Sequence, residues 1–326
     1  MKVCIVGAGA IGGFIGTRLA AAGACEVSAL ARGATLQALR MQGWRLLMNG
    51  ALIHAPAKAS DNPQALGPQD LVIIAVKGPA LESVALQLTP LLGPDTIVMP
   101  AMNGVPWWFL KGVKGLSDQP LRSVDASGAI AQAIAFERVL GCVVHASTST
   151  PEPGCVAHRM GQGLIIGEPL GGRSARAQQV VELMAGAGFE ATHSDNIRYD
   201  LWYKLWGNLT MNPVSAITGA TGDVLLADPL VRAFFSAGMT EAAAVGARIG
   251  VPIEQSPEDR HTITSKLGAF KTSMLQDVEA GRAIELDAIV TVVHEIAQRV
   301  GVPTPHIDAM LGLTRVFARG RGLYQG

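Results

Sequence analysis

At 326 residues, with 49% apolar and 16% charged residues, the chain has the composition of a folded α/β protein rather than a disordered one, and its length favours two domains over one. Lys plus Arg and Asp plus Glu number 26 each, so no net field draws the protein to nucleic acid or to an acidic membrane surface. The four cysteines stand singly at 4, 25, 142 and 155, and the seven histidines show no HxxxH or HxH spacing, which argues against a disulfide framework and against a metal site.

In chain order, Lys2–Val6 (KVCIV) is a short apolar β run, and Ala10–Ala22 follows with small and apolar residues at helical spacing. No basic stretch and apolar signal-peptide core precede the turn between them. No segment approaches the roughly 18 uninterrupted apolar residues of a membrane span. A cytoplasmic protein is expected. Glu26–Leu30, Leu71–Val76 and Thr96–Met99 read as further strands, and Pro79–Leu92 as a helix between the last two. Alternation of this kind implies βαβ units and a parallel sheet, whose doubly buried strands are continuously apolar. Ile130–Ala135, Val143–Ala146 and Leu164–Ile166 are predicted as additional strands, with a turn at Pro151–Gly154 joining the last two in antiparallel fashion. A helix over Ser174–Ala187 and a strand over Glu190–His193 complete this half.

From about Asn196 the strand-like runs stop. Asp200–Met211, Asp228–Ile249, Ser265–Ala280 and Glu285–Val300 carry apolar residues at three and four spacing, and Gly250, Pro252, Gly281, Gly301 and Pro303 punctuate them. The expected fold is α/β, a Rossmann-type parallel-sheet domain over 1–195 followed by an all-helical domain over 196–326. A cleft for a small molecule between two such domains is the natural expectation. A homodimer is neither required nor excluded by the sequence.

The segment Gly7-Ala8-Gly9-Ala10-Ile11-Gly12 is GxGxxG between a strand and a helix. In that context the first glycine makes the turn, the second lets backbone approach a pyrophosphate, and the third lets helix and strand pack closely. The helix N-terminus adds free N–H groups and the positive end of its dipole. NAD enzymes place Asp or Glu near the end of the second strand for the ribose hydroxyls. Here that strand ends Ala29-Leu30-Ala31-Arg32, its only acid being Glu26 at its start, and Arg32 suits the 2′-phosphate of NADP.

In the second half, Lys204, Asn208 and Asn212 recur at every fourth residue and share one helix face. Leu201, Trp202, Leu205, Trp206 and Leu209 surround them, so Lys204 is expected to be partly desolvated, which favours loss of its proton near neutrality.

The opening glycine turn, Met102-Asn103-Gly104-Val105 after a strand, Leu201-Trp202-Tyr203-Lys204-Leu205, Ser273-Met274-Leu275-Gln276-Asp277 and Glu285-Leu286-Asp287 together resemble the ketopantoate reductase (2-dehydropantoate 2-reductase) family over nearly the whole chain. The resemblance implies NADPH-dependent reduction of an α-keto acid to a 2-hydroxy acid, the pantoate-forming step on the way to coenzyme A. It implies Lys204 as proton donor and Glu285 as the acid that holds the lysine or the substrate hydroxyl. It also implies Asn103 at the junction of cofactor and substrate, Asn208, Asn212 and Ser273 as substrate ligands, and Lys77 on the cofactor side. Two positions depart from the family pattern. Ala288-Ile289 stands where Asn-Gly is common, and Phe270 stands one turn before Ser273 where a polar residue is often found, which would make the substrate pocket more apolar. Two other readings remain: a dehydrogenase of the 3-hydroxyacid type, separable by its substrates, and a non-catalytic NADP sensor, which the pairing of Lys204 with Glu285 disfavours.

Overall fold

The computed structural model describes residues 1–325. Two compact units result: Met1–Met102 with Ser127–Asp200, and Asn103–Ala126 with the chain from Leu201 onward. One boundary at 195/196 was the sequence expectation. Compactness adds an exchange, in which Asn103–Ala126 clusters with the helices.

The first unit runs β1 (Lys2–Val6), α1 (Ala10–Ala22), β2 (Glu26–Leu30), α2 (Gly33–Gln42), β3 (Trp44–Met48), β4 (Ala51–Ala55), β5 (Lys58–Ser60), β6 (Gln69–Ile74), α3 (Gly78–Ala85), β7 (Leu92–Pro100), α4 (Ala129–Ala133), β8 (Gly141–Glu152), β9 (Cys155–Gly167), α5 (Ala175–Gly186) and β10 (Glu190–His193). One sheet is wholly parallel, in the order β5-β2-β1-β6-β7. The order reverses at β1, and in such sheets the crevice beyond the carboxyl ends at the reversal is where ligands bind. Residues 3–6 and 71–74 of its central strands are almost wholly buried, as the continuous apolar runs require.

The second sheet has β9 at its centre. It pairs antiparallel with β8 and parallel with β3 and β10, and β4 closes the edge against β3. The antiparallel pairing of β8 with β9 follows from the turn at Pro153-Gly154, but these strands build a separate sheet and do not extend the first. Helix α1 makes contacts with strands of both sheets. This explains its nearly all-round apolar and small surface. Gly16 is part of that fit: a Cβ there would stand 2.5 Å from the ring of Trp44.

One expected strand is a helix. Ile130–Ala133 lies in α4 and Ile134 and Ala135 follow it outside any strand, because Ala-Ile-Ala-Gln-Ala is a good helix-forming run and Gly128, at φ +75, starts it. Helix α3 is shorter than expected: a separate turn at Thr89–Leu91, built on Pro90, follows it.

The second unit contains α6 (Ile197–Thr218, whose first turn belongs to the first unit), α7 (Gly222–Ala227), α8 (Pro229–Arg248), α9 (Pro257–Ser265), α10 (Ser273–Glu279), a π-helical turn at Asp287–Thr291, α11 (Val292–Val300) and α12 (Pro305–Arg319). Its described residues include no strand. The expected helix over Ser265–Ala280 is divided, because Gly268 takes φ +65 and the Thr272 hydroxyl caps a new helix at Leu275 N. Among the described residues no helix is long and apolar enough to cross a membrane, and no group of three or more His, Cys, Asp or Glu side chains is placed to hold a metal ion.

Candidate active site

In the first unit, β1 ends at Val6 and the chain turns sharply. Gly7 adopts φ +90 and donates its N–H to Leu30 O at 3.0 Å, which ties the turn to the end of β2. A Cβ on Gly12 would lie 2.0 Å from Gly7 O, so this glycine is required by the fold. Gly9 differs. It is exposed, has φ −81, and a Cβ there would meet nothing within 4 Å. No contact within the protein explains its lack of a side chain, whereas close approach of a ligand does. Gly9 is also the N-cap of α1 and offers no side-chain cap, and the first turn carries no acid, so the helix presents bare N–H groups. These features fit the pyrophosphate of a dinucleotide.

Gly7, Ala8, Gly9 and Arg32 line a cleft of about 250 Å³ in this unit, with Val76 and Gln87. Ala10, Ile11 and Gly12 form the first turn of α1 behind it. Lys77 follows Val76 beyond β6, half-buried, as the N-cap of α3. Arg32 is exposed and is the N-cap of α2. Asp61 lines the same cleft just beyond β5, and its carboxylate is 3.9 Å from the Arg40 guanidinium. Sequence reasoning missed it because β5 is only three residues, Lys58–Ser60, too short to show a period.

In the second unit, α6 divides its faces. Trp202 donates from its indole N–H to Ala242 O at 3.3 Å and Trp206 to Met239 O at 2.7 Å, which fixes that side against α8. Lys204, half-buried, emerges on another side and donates from Nζ to Asn103 Oδ1 at 2.8 Å. Asn208 is half-buried and Asn212 is buried. Asn103 is positioned by its own loop. Gly104, at φ +83, lies so close to Ala288 that a Cβ would stand 2.2 Å from Ala288 O, and Val105 N–H donates to that same oxygen at 2.8 Å. Ala288 is three residues beyond Glu285, which is half-buried at the entry to the π-helical turn. The fold therefore brings Lys204 and Asn103 into contact and sets the Asn103 loop against the turn that follows Glu285. Ser273 is exposed at the first position of α10, beside the Thr272 hydroxyl that makes the cap.

Further along, Glu295 fastens the 103–126 segment to α11. It accepts from the Arg122 and Ser123 amides at 2.8 Å each and from the Ser123 hydroxyl at 2.5 Å. Burial pushes this carboxyl's pKa up, but the Ser123 and Arg122 bonds and the Arg299 guanidinium outweigh it and carry it below the usual value.

Phe270, which the resemblance put near the substrate pocket, packs against the apolar residues of its own unit. Its ring packs where a Cβ on Gly222 would come within 2.3 Å, it joins Met211, Leu225, Leu226 and Phe235 in a hydrophobic cluster, and its carbonyl accepts from Gly222 N. The departure at Ala288 serves the tight seat of Gly104.

Residues 3–171 match the family model "Ketopantoate reductase PanE/ApbA" and residues 196–318 match "Ketopantoate reductase PanE/ApbA C terminal". A 2-dehydropantoate 2-reductase of Mesorhizobium japonicum is 44% identical over 325 residues, covering 99% of this chain and 100% of that one. Among solved structures, a protein of Ralstonia solanacearum assigned to the ketopantoate reductases is 56% identical, with a TM-score of 0.95 and 99% of each chain covered. The D-mandelate dehydrogenase solved with NADH and anilino(oxo)acetate shares the fold at a TM-score of 0.85 and 21% identity, covering 99% of this chain and 100% of that one.

Proposed function

The chain belongs to the ketopantoate reductase PanE/ApbA family and is an oxidoreductase of that type, and from that premise we propose that it reduces 2-dehydropantoate, or a close α-keto acid relative, to the 2-hydroxy acid with NADPH, Lys204 supplying the proton. The observation that carries this reading is the Lys204 Nζ to Asn103 Oδ1 hydrogen bond of 2.8 Å beside the turn that bears Glu285.

When bound, the reduced nicotinamide supplies hydride to the ketone carbon. The protein's task is then to receive negative charge on the carbonyl oxygen. An ammonium held in place stabilises that charge and delivers a proton to it, a contribution on the order of 10²–10⁴ in rate for a positioned acid. Asn103 cannot take the proton. Its amide oxygen accepts an N–H of Lys204 and carries no charge to draw the proton away, so it orients the acid without competing for its proton. Glu285 supplies the counter-charge that holds the lysine or the product hydroxyl, and Asn208, Asn212 and the exposed Ser273 hydroxyl bind the carboxylate and hydroxyl of the substrate. On the cofactor side, Gly7, Ala8 and Gly9 with the first turn Ala10-Ile11-Gly12 receive the pyrophosphate at the bare N-terminus of α1. Arg32 forks onto the 2′-phosphate, and Lys77 adds a cation beyond β6.

NADPH oxidation measured across a panel of α-keto acids that includes 2-dehydropantoate tests the reading. Turnover of a 3-hydroxy acid in its place would move the chain to that class of dehydrogenase, and cofactor binding without any turnover would make it a sensor. Asp61 favours a second reading for the cofactor alone. A carboxylate at the mouth of the adenosine end suits a ribose hydroxyl better than a phosphate, so the same panel run with NADH decides between them.

A further inference from the structure

The last residues of the second unit fold back onto the turn that carries Glu285. After α12, Leu323 is buried, and its N–H donates to Ala318 O at 2.8 Å. Its carbonyl accepts the Ile284 N–H at 3.1 Å, one residue before Glu285. Tyr324 donates its hydroxyl to Asp287 Oδ1 at 2.5 Å, two residues after Glu285. The same Asp287 oxygen accepts from the Thr291 hydroxyl at 2.9 Å, across the π-helical turn. Glu285 is thus bracketed: the chain on either side of it is tied to two successive residues of one tail. On the far side of the turn, Ala288 O holds Val105 and with it the loop of Asn103.

The tether is well made. Burial first, and then the Asp287 carboxylate, raise the Tyr324 hydroxyl to about 12, so it remains a donor at every working pH. The Arg319 guanidinium covers its ring at 5.8 Å. π-helical turns are rare, occur mostly as single turns and are frequent at functional sites. Here Asp287 is bonded to Thr291 across such a turn and to Tyr324 beside it, two residues from Glu285.

We propose that Tyr324 is a positioning residue: through its hydroxyl on Asp287, and with the Leu323 carbonyl on Ile284, the C-terminal tail sets the direction of Glu285 toward Lys204 and the substrate hydroxyl. The inference rests on the reading of Glu285 given above, and the tail bonds that carry it, Leu323 with Ile284 and Tyr324 with Asp287, all lie within the second unit, so its readout is turnover and not cofactor affinity.

The test uses the full chain as wild type, Tyr324→Phe, Asp287→Leu, Glu285→Gln and the doubles Tyr324→Phe/Glu285→Gln and Tyr324→Phe/Asp287→Leu. Measurements are kcat and KM for 2-dehydropantoate at saturating NADPH, Kd for NADPH, and the melting temperature. Tyr324→Phe keeps the ring and removes only the donor, so it should lower kcat/KM about tenfold with the NADPH Kd unchanged. Asp287→Leu removes the acceptor and should do the same, and the two together no more than either alone. In the Glu285→Gln background Tyr324→Phe should cost less than about twofold. An equal loss in both backgrounds overturns the proposal while leaving Glu285 its role, as does a Tyr324→Phe variant that is less stable but kinetically intact. Should Glu285→Gln leave too little turnover to compare, coupling of Tyr324 with Asp287 decides, and independent losses at those two sites overturn the tether. If Glu285→Gln is as active as wild type, the role of Glu285 itself is refuted and the tether falls with it.

Discussion

Gly9 and Gly12 are two residues of one motif with opposite reasons to be glycine, and substituting each with alanine separates ligand from fold. At Gly9 a methyl group meets nothing within 4 Å, and φ −81 is open to alanine. Alanine is a poorer N-cap than glycine by about 0.5 kcal/mol, and stiffening of the unfolded chain returns about 0.4–1 kcal/mol. The two nearly cancel, so Gly9→Ala should melt within about 2 °C of wild type. In the proposed cradle the methyl group would take the space a pyrophosphate oxygen needs to reach the bare amides of α1, and losing that approach should weaken NADPH at least tenfold, about 1.4 kcal/mol. At Gly12 the new carbon stands 2.0 Å from Gly7 O, a backbone atom pinned through Gly7 N to Leu30. That overlap costs about 3 kcal/mol or more and lowers the melting temperature by at least about 6 °C. Thermal melting and a tryptophan-fluorescence titration with NADPH, run side by side, read both effects. Wild-type NADPH affinity in Gly9→Ala would refute the cradle, and a large melting loss there would show that the glycine serves the fold.

Lys204→Ala should reduce kcat by at least about 10² with the NADPH Kd within about twofold, read by steady-state NADPH oxidation and by titration; undiminished turnover removes Lys204 from the chemistry. Arg32→Ala should weaken NADPH about tenfold more than NADH, and Asp61→Asn should strengthen NADPH relative to NADH; competitive titrations of the two cofactors check both. Glu295 contributes to stability through pH, and the sign follows from its depressed pKa. Its contribution is full above the ordinary glutamate value of about 4.3 and is lost as pH falls through its lower folded value. Glu295→Gln should therefore melt below wild type at neutral pH, with the gap closing as pH falls below the ordinary glutamate value, and a gap independent of pH would contradict the assignment.

Strands β1 and β6 were legible because a doubly buried parallel strand must be continuously apolar, and KVCIV and LVII stand out against any background. The second sheet was not. Its first hairpin, β3 to β4, turns at Asn49-Gly50 with both residues at positive φ, 52 and 78. Asn-Gly between apolar runs is a strong hairpin signal, but Trp44–Met48 and Ala51–Ala55 do not alternate cleanly. The lack of alternation has a cause. The β3 face toward α1 is buried, while Leu47 and Leu52 are exposed on the other face, so both faces carry apolar residues. In the site, Lys204 with Asn208 and Asn212 could be read from helical period alone. The partnership of Lys204 with Asn103 could not, since the two are 101 residues apart and only the seating of Gly104 on Ala288 brings the loop there. Asp61 and Tyr324 were invisible for a similar reason, and Asp287 was legible only as part of the Glu285-Leu286-Asp287 motif. Its contacts with Tyr324 and Thr291 are announced by no local pattern.

The direction of Lys204 follows from what is fixed around it. A free lysine side chain carries about 2 kcal/mol of rotamer entropy, which a reaction would have to overcome at each turnover if the ammonium had to be found and aligned. On α6 that search is already narrowed. Trp202 and Trp206 lock one side of the helix to α8, and Trp202 can settle there only because Gly246 leaves room, a Cβ at that position being 2.4 Å from its indole nitrogen. Tyr203 is tied at its hydroxyl to Gln255 at 2.6 Å, so the residue before the lysine is held as well. With the helix unable to rotate and its neighbours spoken for, Asn103 meets the ammonium from a loop that Ala288 fixes in turn. The aromatic residues around Lys204 therefore matter for geometry as much as for desolvation, and the ammonium is aligned by the folding of the second unit itself.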